Sequence, residues 1–287
     1  MLEGKTCFIT GGARGLGLGI ARACADRGAT LALADRDAAA LAEAKAELEH
    51  VTKVGTFQLD VRDRQAFLAV ADQVEQDLGP VHGVFNNAGV IDSVSPSQMR
   101  GELWDWMVDV NLNGVYNGVQ AFVPRMISRG EGGLVVNVSS MAGVVPAGSG
   151  FAYHATKFAV VGMTVSLQQE LAHHNISVSV VCPGQVATSI VRNTADQRPA
   201  DAEPHTSRQS RILAAAHESL LDAGTSIDDA GRMVVDGALA GQPFVFTDGL
   251  YKDFIEQYYA TIVGCLPEPD EARLAALKER ARAREAV

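Results

Sequence analysis

Tyr153 and Lys157 stand four residues apart in the stretch SGFAYHATKFAV, residues 149–160. The segment reads as the start of a helix, where a spacing of four puts both side chains on one face. A free phenol loses its proton near pH ~10, too high for acid–base work at neutral pH. An ammonium one turn away favours the phenolate, and such a pair can move a proton. Taken alone, the same pair is also an ordinary feature of a helix surface. What the chain places nearby decides between the two.

The second candidate is TGGARGLGLG, which follows a first apolar run and opens a helical pattern. Its spacing is TGxxxGxG, with Thr10, Gly11, Gly15 and Gly17, and with Arg14 and Leu16 inside it. Positions without side chains let the backbone approach a pyrophosphate, which then sits on a helix N-terminus. Alone, the pattern is also that of a tight turn; strand, turn and helix in succession give it the context the motif needs. Asp35, in LALADRD, occupies the end of the next strand, where a carboxylate can accept from the ribose hydroxyls of an adenosine. It would repel a 2′-phosphate, which favours NAD over NADP. Arg14 and Arg36 are cations able to meet a 2′-phosphate, so NADP stays possible.

These residues need a scaffold, and the chain supplies one by alternation. KTCFIT, ATLALAD, VGTFQLD, VHGVFNNAG, GGLVVNVSS and ISVSVVCPG read as strands, separated by helical patterns. One long helix is expected over Glu102 to Ser128 and another over AYHATKFAVVGMTVSLQQELAHH. Short apolar strands alternating with helices predict an α/β fold: a single Rossmann-type, doubly wound parallel sheet with helices on both faces. The pattern breaks after Val186. RNTADQRPADAEPHTSRQSR reads as a long polar loop, helical patterning returns around Ile212 to Ala223, and GQPFVFTDG is a last strand. The tail reads as a helix from Leu250 to about Gly264 and then a charged helix, a C-terminal helical extension. The expected division is residues 1–250 for the nucleotide-binding and catalytic part, with a substrate loop at about 189–225, and 251–287 for the extension.

A net charge of −10 argues against nucleic acid and anionic membrane surfaces as partners. No apolar run is long enough to span a bilayer, and MLEGKTCFIT has no signal-peptide pattern, so a cytoplasmic protein is expected. Cys7, Cys24, Cys182 and Cys265 lie far apart and read as free thiols; no metal site is expected.

At this point the sequence resembles the short-chain dehydrogenase/reductase family. The motifs that carry the resemblance occur in order up to about Thr188. They are TGGARGLG, LDV at 59–61, NNAG at 86–89, VNLNGV at 110–115, VNVSS at 136–140, YHATK at 153–157 and CPGQVAT at 182–188. The resemblance implies a catalytic set of Asn111, Ser140, Tyr153 and Lys157. It prefers Ser140 to Ser139 because Ser140 stands thirteen residues before Tyr153. It implies Asp60 and Val61 at the adenine, and Asn87, Ala88 and Gly89 along the cofactor channel. Pro183, Gly184, Val186 and Thr188 would bracket the nicotinamide. Oxidising an alcohol needs a base for its proton, which Tyr153 can supply when Lys157 and the nicotinamide charge favour the phenolate. Ser140 would polarise the substrate oxygen. Asn111 would hold a water linking Lys157 to solvent, through its side chain or through a local helix distortion. His154, His173 and His174 are expected on the helix surface, and Trp104 and Trp106 in packing roles.

The region MAGVVPAGSGF is small and apolar, which suits a bulky apolar or aromatic secondary alcohol, or its ketone, better than a hydroxy acid. Arg192, Arg198, Arg208 and Arg211 in the loop leave an acidic substrate tail open. VNLNGVYNGVQAFVPRMISRGEGG and FVFTDGLYKDFIEQYYATIV are similar to a subgroup that includes bacterial Cα-dehydrogenases of lignin-derived β-aryl ethers. That resemblance implies a benzylic alcohol; a hydroxysteroid or other hydrophobic alcohol with NADP(H) is the alternative. The family also implies a homodimer or homotetramer, built through the helices that hold Asn111 and Tyr153. A non-catalytic nucleotide sensor is the reading from another class, and it gives no reason for the Tyr153–Lys157 pair. A hydratase or epimerase on the same fold is a third.

Overall fold

A computed structural model describes residues 2–146, 150–200, 215, 218–219, 221 and 223–285, the last five of these without their side chains. It divides the chain into two units, Met1–Tyr251 and Lys252–Val287. In the first unit, seven parallel strands run in the order β3-β2-β1-β4-β5-β6-β7. They are β1 Thr6–Thr10, β2 Thr30–Asp35, β3 Val54–Gln58, β4 Val81–Asn86, β5 Gly133–Val138, β6 Ile176–Cys182 and β7 Phe244–Phe246. The doubly wound fold is as the alternation predicts. The order reverses between β1 and β4, so the loops after these two strands part and leave a crevice at the carboxyl edge of the sheet.

Alternation along each strand feeds two cores. Cys7 and Ile9 of β1 face one way, with Leu31, Leu33, Val136 and Val181 from neighbouring strands. They are covered by α1 Gly15–Ala25, α2 Ala38–Leu48 and α8 Ile227–Leu239. Phe8 faces the other way and meets Phe122 at 4.7 Å and Phe67 at 5.7 Å between ring centroids. That face is covered by α3 Arg64–Leu78, α5 Gly114–Arg129 and α6 Phe151–Leu171. Side chains start three of these helices: Asp37 accepts from the Ala40 amide, Asp63 from the Gln65 and Ala66 amides, and Ser226 from the Asp229 amide.

Three elements differ from expectation. The long helix is α4 Gly101–Val108 running into α5 through a π-helical segment, Asp109–Asn113. No composition signal separates an extra residue per turn from an ordinary helix. The strand expected over VHGVFNNAG stops at Asn86, so Asn87, Ala88 and Gly89 leave the sheet into the crevice. The polar stretch after Val186, expected as loop, begins with a helix, α7 Ile190–Gln197. Polar composition hid it: after Ile190 and Val191 only Ala195 is apolar. Arg208, Arg211 and most of the helix expected at Ile212–Ala223 lie outside the described residues. The second unit holds two helices, α9 Lys252–Gly264 and α10 Glu271–Glu285.

α1 and α8 approach closely because both carry glycine at the crossing. A Cβ on Gly231 would collide with the Gly19 carbonyl and come to 2.7 Å from the Ile20 nitrogen. A Cβ on Gly19 would strike the Ile227 carbonyl. Backbone cannot give way as a flexible side chain can, so the helices would have to part. Gly231→Ala is expected to lower stability by about 2–4 kcal/mol. Urea denaturation measures it; a loss below about 0.5 kcal/mol would mean the crossing is loose.

Candidate active site

One cavity of about 620 Å³ occupies the crevice. Of the residues expected at the site, Gly11, Arg14, Gly15, Leu16, Asp35, Arg36, Asp60, Val61, Asn87, Ala88 and Gly89 line it. So do Ser140, Tyr153, Lys157, Pro183, Gly184, Val186 and Thr188. Gly17 and Asn111 do not.

At one end of the cavity the turn after β1 is tied to the loop after β4. Thr10 Oγ1 accepts from the amides of Asn87 at 2.9 Å and Ala88 at 3.1 Å, and Asn87 Nδ2 donates to the Thr10 carbonyl at 3.0 Å. Gly11 and Gly15 have φ of +61° and +54°, the left-handed region in which a side chain is strained. A Cβ at Gly11 would also come to 3.0 Å from Ala88 Cα. Gly17 lies one turn into α1, where a Cβ would collide with the Gly11 carbonyl. The missing side chain lets the turn fold onto the helix. Arg14 precedes α1 in extended conformation and gives the helix no side-chain cap. The first amides of α1 therefore have no side-chain acceptor and suit an anionic group.

Charges at this end are interlocked. Asp35 accepts from the Asp37 amide at 3.1 Å and the Ala13 amide at 3.4 Å. Burial pushes its carboxyl up, and those two amides partly offset the shift. Arg14 pairs with Asp37 at 2.8 Å. Arg62 pairs with Asp60 at 2.6 Å; burial pushes the Asp60 carboxyl up, but the guanidinium outweighs it and holds the carboxyl low. Asp37 and Arg62 line the cavity and are absent from the motif expectations. A second acid two residues after Asp35, with an arginine two after Asp60, was the available signal.

At the reacting end, Ser140 closes β5 and Tyr153 and Lys157 project from α6. The Tyr153 phenol and Ser140 hydroxyl are hydrogen-bonded. Lys157 is 3% exposed, and its Nζ donates to the Val138 carbonyl at 3.1 Å. It lies 5.7 Å from the Tyr153 ring centroid. Burial pushes the Lys157 ammonium down to about 8. Burial likewise pushes the Tyr153 phenol up, and the bond to Ser140 opposes this. Desolvation dominates the shift of the phenol. Ser139 donates to the Lys157 carbonyl at 2.8 Å and so fastens α6 to β5, leaving Ser140 as the serine bonded to Tyr153.

Asn111 is fully buried in the π-helical segment. Its Oδ1 accepts from the Val90 amide at 2.8 Å, and its Nδ2 donates to the Val90 carbonyl at 3.0 Å and to Thr156 Oγ1 at 3.2 Å. Both ends of this side chain are thus held by protein groups. His154, expected on the helix surface, instead lines the cavity, with Nδ1 at 2.9 Å from the Gly150 carbonyl. Its place beside Tyr153 at the first turn of α6 was the signal. Trp106 is buried, and Trp104 stacks on Phe151 at 6.0 Å.

Arg198, one of the loop arginines that left an acidic substrate tail open, is paired with Asp92. No group of three or more metal-ligating side chains occurs among the described residues. No helix of the described residues is long and apolar enough to cross a membrane. Cys7, Cys24, Cys182 and Cys265 are unpaired.

A twisted parallel sheet with a glycine turn after β1, and with serine, tyrosine and lysine gathered at its carboxyl edge, defines a class of nucleotide-dependent oxidoreductase. The chain belongs to the short chain dehydrogenase family, whose profile matches residues 5–199. It is 36% identical over 192 residues to a 3β-hydroxysteroid dehydrogenase of Eggerthella lenta, covering 66% of this chain and 74% of that one. It is 37% identical over 191 residues to a Cα-dehydrogenase of a Sphingobium species, covering 66% of this chain and 62% of that one. Among solved structures, a short-chain dehydrogenase/reductase of Burkholderia phymatum in complex with NAD superposes with a TM-score of 0.87 at 27% identity. The match covers 94% of this chain and 98% of that one.

The buried ammonium has a cost that can be measured. Its folded value of about 8 lies below the 10.5 of a free lysine, so the unfolded chain binds the proton more tightly. The penalty is full below pH ~8 and fades as pH rises towards ~10.5, where stability climbs. Lys157→Met, similar in shape and uncharged, is expected to be more stable at pH 7 by about 2–3 kcal/mol, with the gap closing at high pH. Thermal unfolding across pH 6–10 checks the sign. A less stable variant at pH 7 would mean that the Val138 bond outweighs desolvation.

Proposed function

We propose that the protein transfers hydride between NAD(H) and a hydrophobic, aromatic secondary alcohol or its ketone, with Tyr153 as acid and base. The observation that carries the reading is the Ser140–Tyr153–Lys157 cluster on the same cavity as the glycine turn. The cavity is shaped for a dinucleotide: Gly11 and Gly15 give backbone access, the uncapped α1 suits the pyrophosphate, and Asp35 suits the ribose hydroxyls. A Cβ at Gly89 would come to 3.3 Å from Asn111 Oδ1 and 3.4 Å from Lys157 Nζ, narrowing the channel the nicotinamide half would use. The cofactor, when bound, supplies the hydride acceptor or donor.

The chain's own residues handle the proton and the oxygen. Ser140 donates to the substrate oxygen and holds it against Tyr153. In oxidation Tyr153 as phenolate accepts the hydroxyl proton; in reduction the phenol returns it to the carbonyl oxygen. Lys157 remains charged at neutral pH with its value near 8, and stabilises the phenolate as it forms. Asn111 acts through Val90 and Thr156, keeping the loop after β4 and α6 in register. The wall beside Ser140 supports an apolar substrate: Val90, Met141, Ala142 and Val145 line it. The named activities of the Eggerthella and Sphingobium relatives are consistent with a hydrophobic alcohol, and the latter favours a benzylic one.

Arg14 is engaged by Asp37 and Arg62 by Asp60, which supports NAD over NADP. NADH is expected to bind at least about tenfold tighter than NADPH by nicotinamide fluorescence, and Asp37→Ala is expected to narrow that ratio by releasing Arg14. NADPH binding the tighter in the wild type would overturn the assignment of Asp35. Tyr153→Phe is expected to lower kcat for a 1-arylalkanol by about a thousandfold while NADH affinity stays within about twofold. Turnover within tenfold of wild type would remove Tyr153 from its role. NADH binding without turnover of any alcohol or ketone in the wild type would favour a sensor.

A further inference from the structure

Two chain segments outside the sheet meet at the far end of the cavity: the loop after β4 and α7. They supply Ile91, Asp92, Ile190, Asn193 and Gln197 to its wall. They are joined twice. The Ile91 amide donates to Thr194 Oγ1 at 3.0 Å, and Arg198 Nη2 donates to Asp92 Oδ2. The Asp92 side chain is 1% exposed and that of Arg198 13%. Asp92 Oδ1 is fixed in turn by the Val94 amide at 2.9 Å. Taking one partner from a buried pair strands the other charge, so the two segments separate only at high cost.

We propose that Asp92 and Arg198 are positioning residues that clamp α7 to the loop after β4 and cancel the Arg198 charge, so that this end of the cavity takes a neutral substrate. This rests on the reading of the cavity as an alcohol site. Binding a carboxylate calls for a guanidinium with free, parallel donors. The cations that line the cavity among the described residues are Arg14, Arg36 and Arg62, towards the glycine turn, and Lys157 at the reacting centre. Arg198 is not among the lining residues; its Nη2 donates to Asp92, which lines the wall, and its Nε is buried without a partner, so the guanidinium presents no free pair of donors to the cavity.

The test uses the full chain with NADH bound and reads amide hydrogen exchange and kinetics together. Asp92→Asn and Arg198→Met are each expected to speed exchange in residues 190–198 by about tenfold or more, with residues 10–25 unchanged. Arg198→Lys, which keeps the charge, is expected to restore most of the protection. With a neutral 1-arylalkanol, KM should rise about tenfold in Asp92→Asn while kcat at saturation stays within about threefold. The same variant frees Arg198 and should raise kcat/KM for a carboxylate-bearing arylalkanol, relative to its neutral counterpart, by about tenfold. Unchanged exchange over 190–198, an unchanged substrate ratio, or a fall in kcat with KM intact would each overturn the proposal. Should Asp92→Asn lose protection over residues 10–25 as well, the comparison of Arg198→Met with Arg198→Lys decides. A wild-type protein that binds NADH but turns over no alcohol defeats the proposed function, and the exchange of residues 190–198 still decides the clamp.

Discussion

Lys157 carries an ammonium at the end of a side chain almost wholly withdrawn from water, and the rest of the site is arranged around that burial. The charge is tolerated because the Val138 carbonyl accepts from it and because α6 is pressed against the end of β5. Ser139 makes that pressure specific by bonding the Lys157 carbonyl, and Gly143 leaves the room it needs: a Cβ there would collide with Ser139 Oγ. Once α6 sits in this way, Tyr153 one turn earlier falls beside Ser140. The same desolvation that depresses the lysine raises the tyrosine, so neither group alone is set for neutral pH. A positive charge brought into the cavity would favour the phenolate in a dry setting, where such an interaction is strongest. The cluster is thus preorganised, with the Lys157 ammonium already beside the Tyr153 ring.

The other end of the cavity solves a different electrostatic problem. Three acids, Asp35, Asp37 and Asp60, and three arginines, Arg14, Arg36 and Arg62, line it within a short span of β2 and β3 ends. Two of the arginines are held by acids. Those pairs are partly exposed, so each contributes little to stability. Their effect is on recognition: a guanidinium already facing a carboxylate offers less to a second anion. Asp35 is the member whose carboxyl is held by backbone amides alone. It is therefore fixed in direction and retains acceptor capacity, which is what a pair of ribose hydroxyls would require.

Much of this was legible in the residues and some of it was not, for reasons that can be named. The sheet followed from period-two strands between helical patterns, and the glycine turn from its position between strand and helix. Ser140, Tyr153 and Lys157 followed from ordered motifs. At Gly17 a cofactor-contacting glycine and a packing glycine look alike in sequence; the close approach of the Gly11 carbonyl is what the structure adds. Asn111 was placed correctly on the long helix, but the π-helical segment that buries its amide leaves no trace in hydropathy. α7 was lost because it is only eight residues long and its apolar pair, Ile190 and Val191, stands just ahead of the polar run. The pairings of Arg14 with Asp37 and Arg198 with Asp92 join residues far apart in the chain, and long-range pairing is what a single sequence does not display.

The loop after β4 shows how the two ends communicate. Its Val90 is held at both backbone atoms by Asn111 from the π-helical segment, its Ile91 amide by Thr194 of α7, and its Asp92 carboxylate by Arg198. Three consecutive residues are thus fixed by two different elements. Asn111 also bonds Thr156, the neighbour of Lys157, so the segment that fixes Val90 is the one that fixes the reacting face of α6. A shift of α7 would pull on Ile91 and Asp92, and through Val90 on the amide that anchors Asn111. Loops usually vary freely because little depends on their backbone. Here the backbone of one short loop is a bearing between the reacting centre and the substrate wall, and its hydrogen bonds hold the two in register.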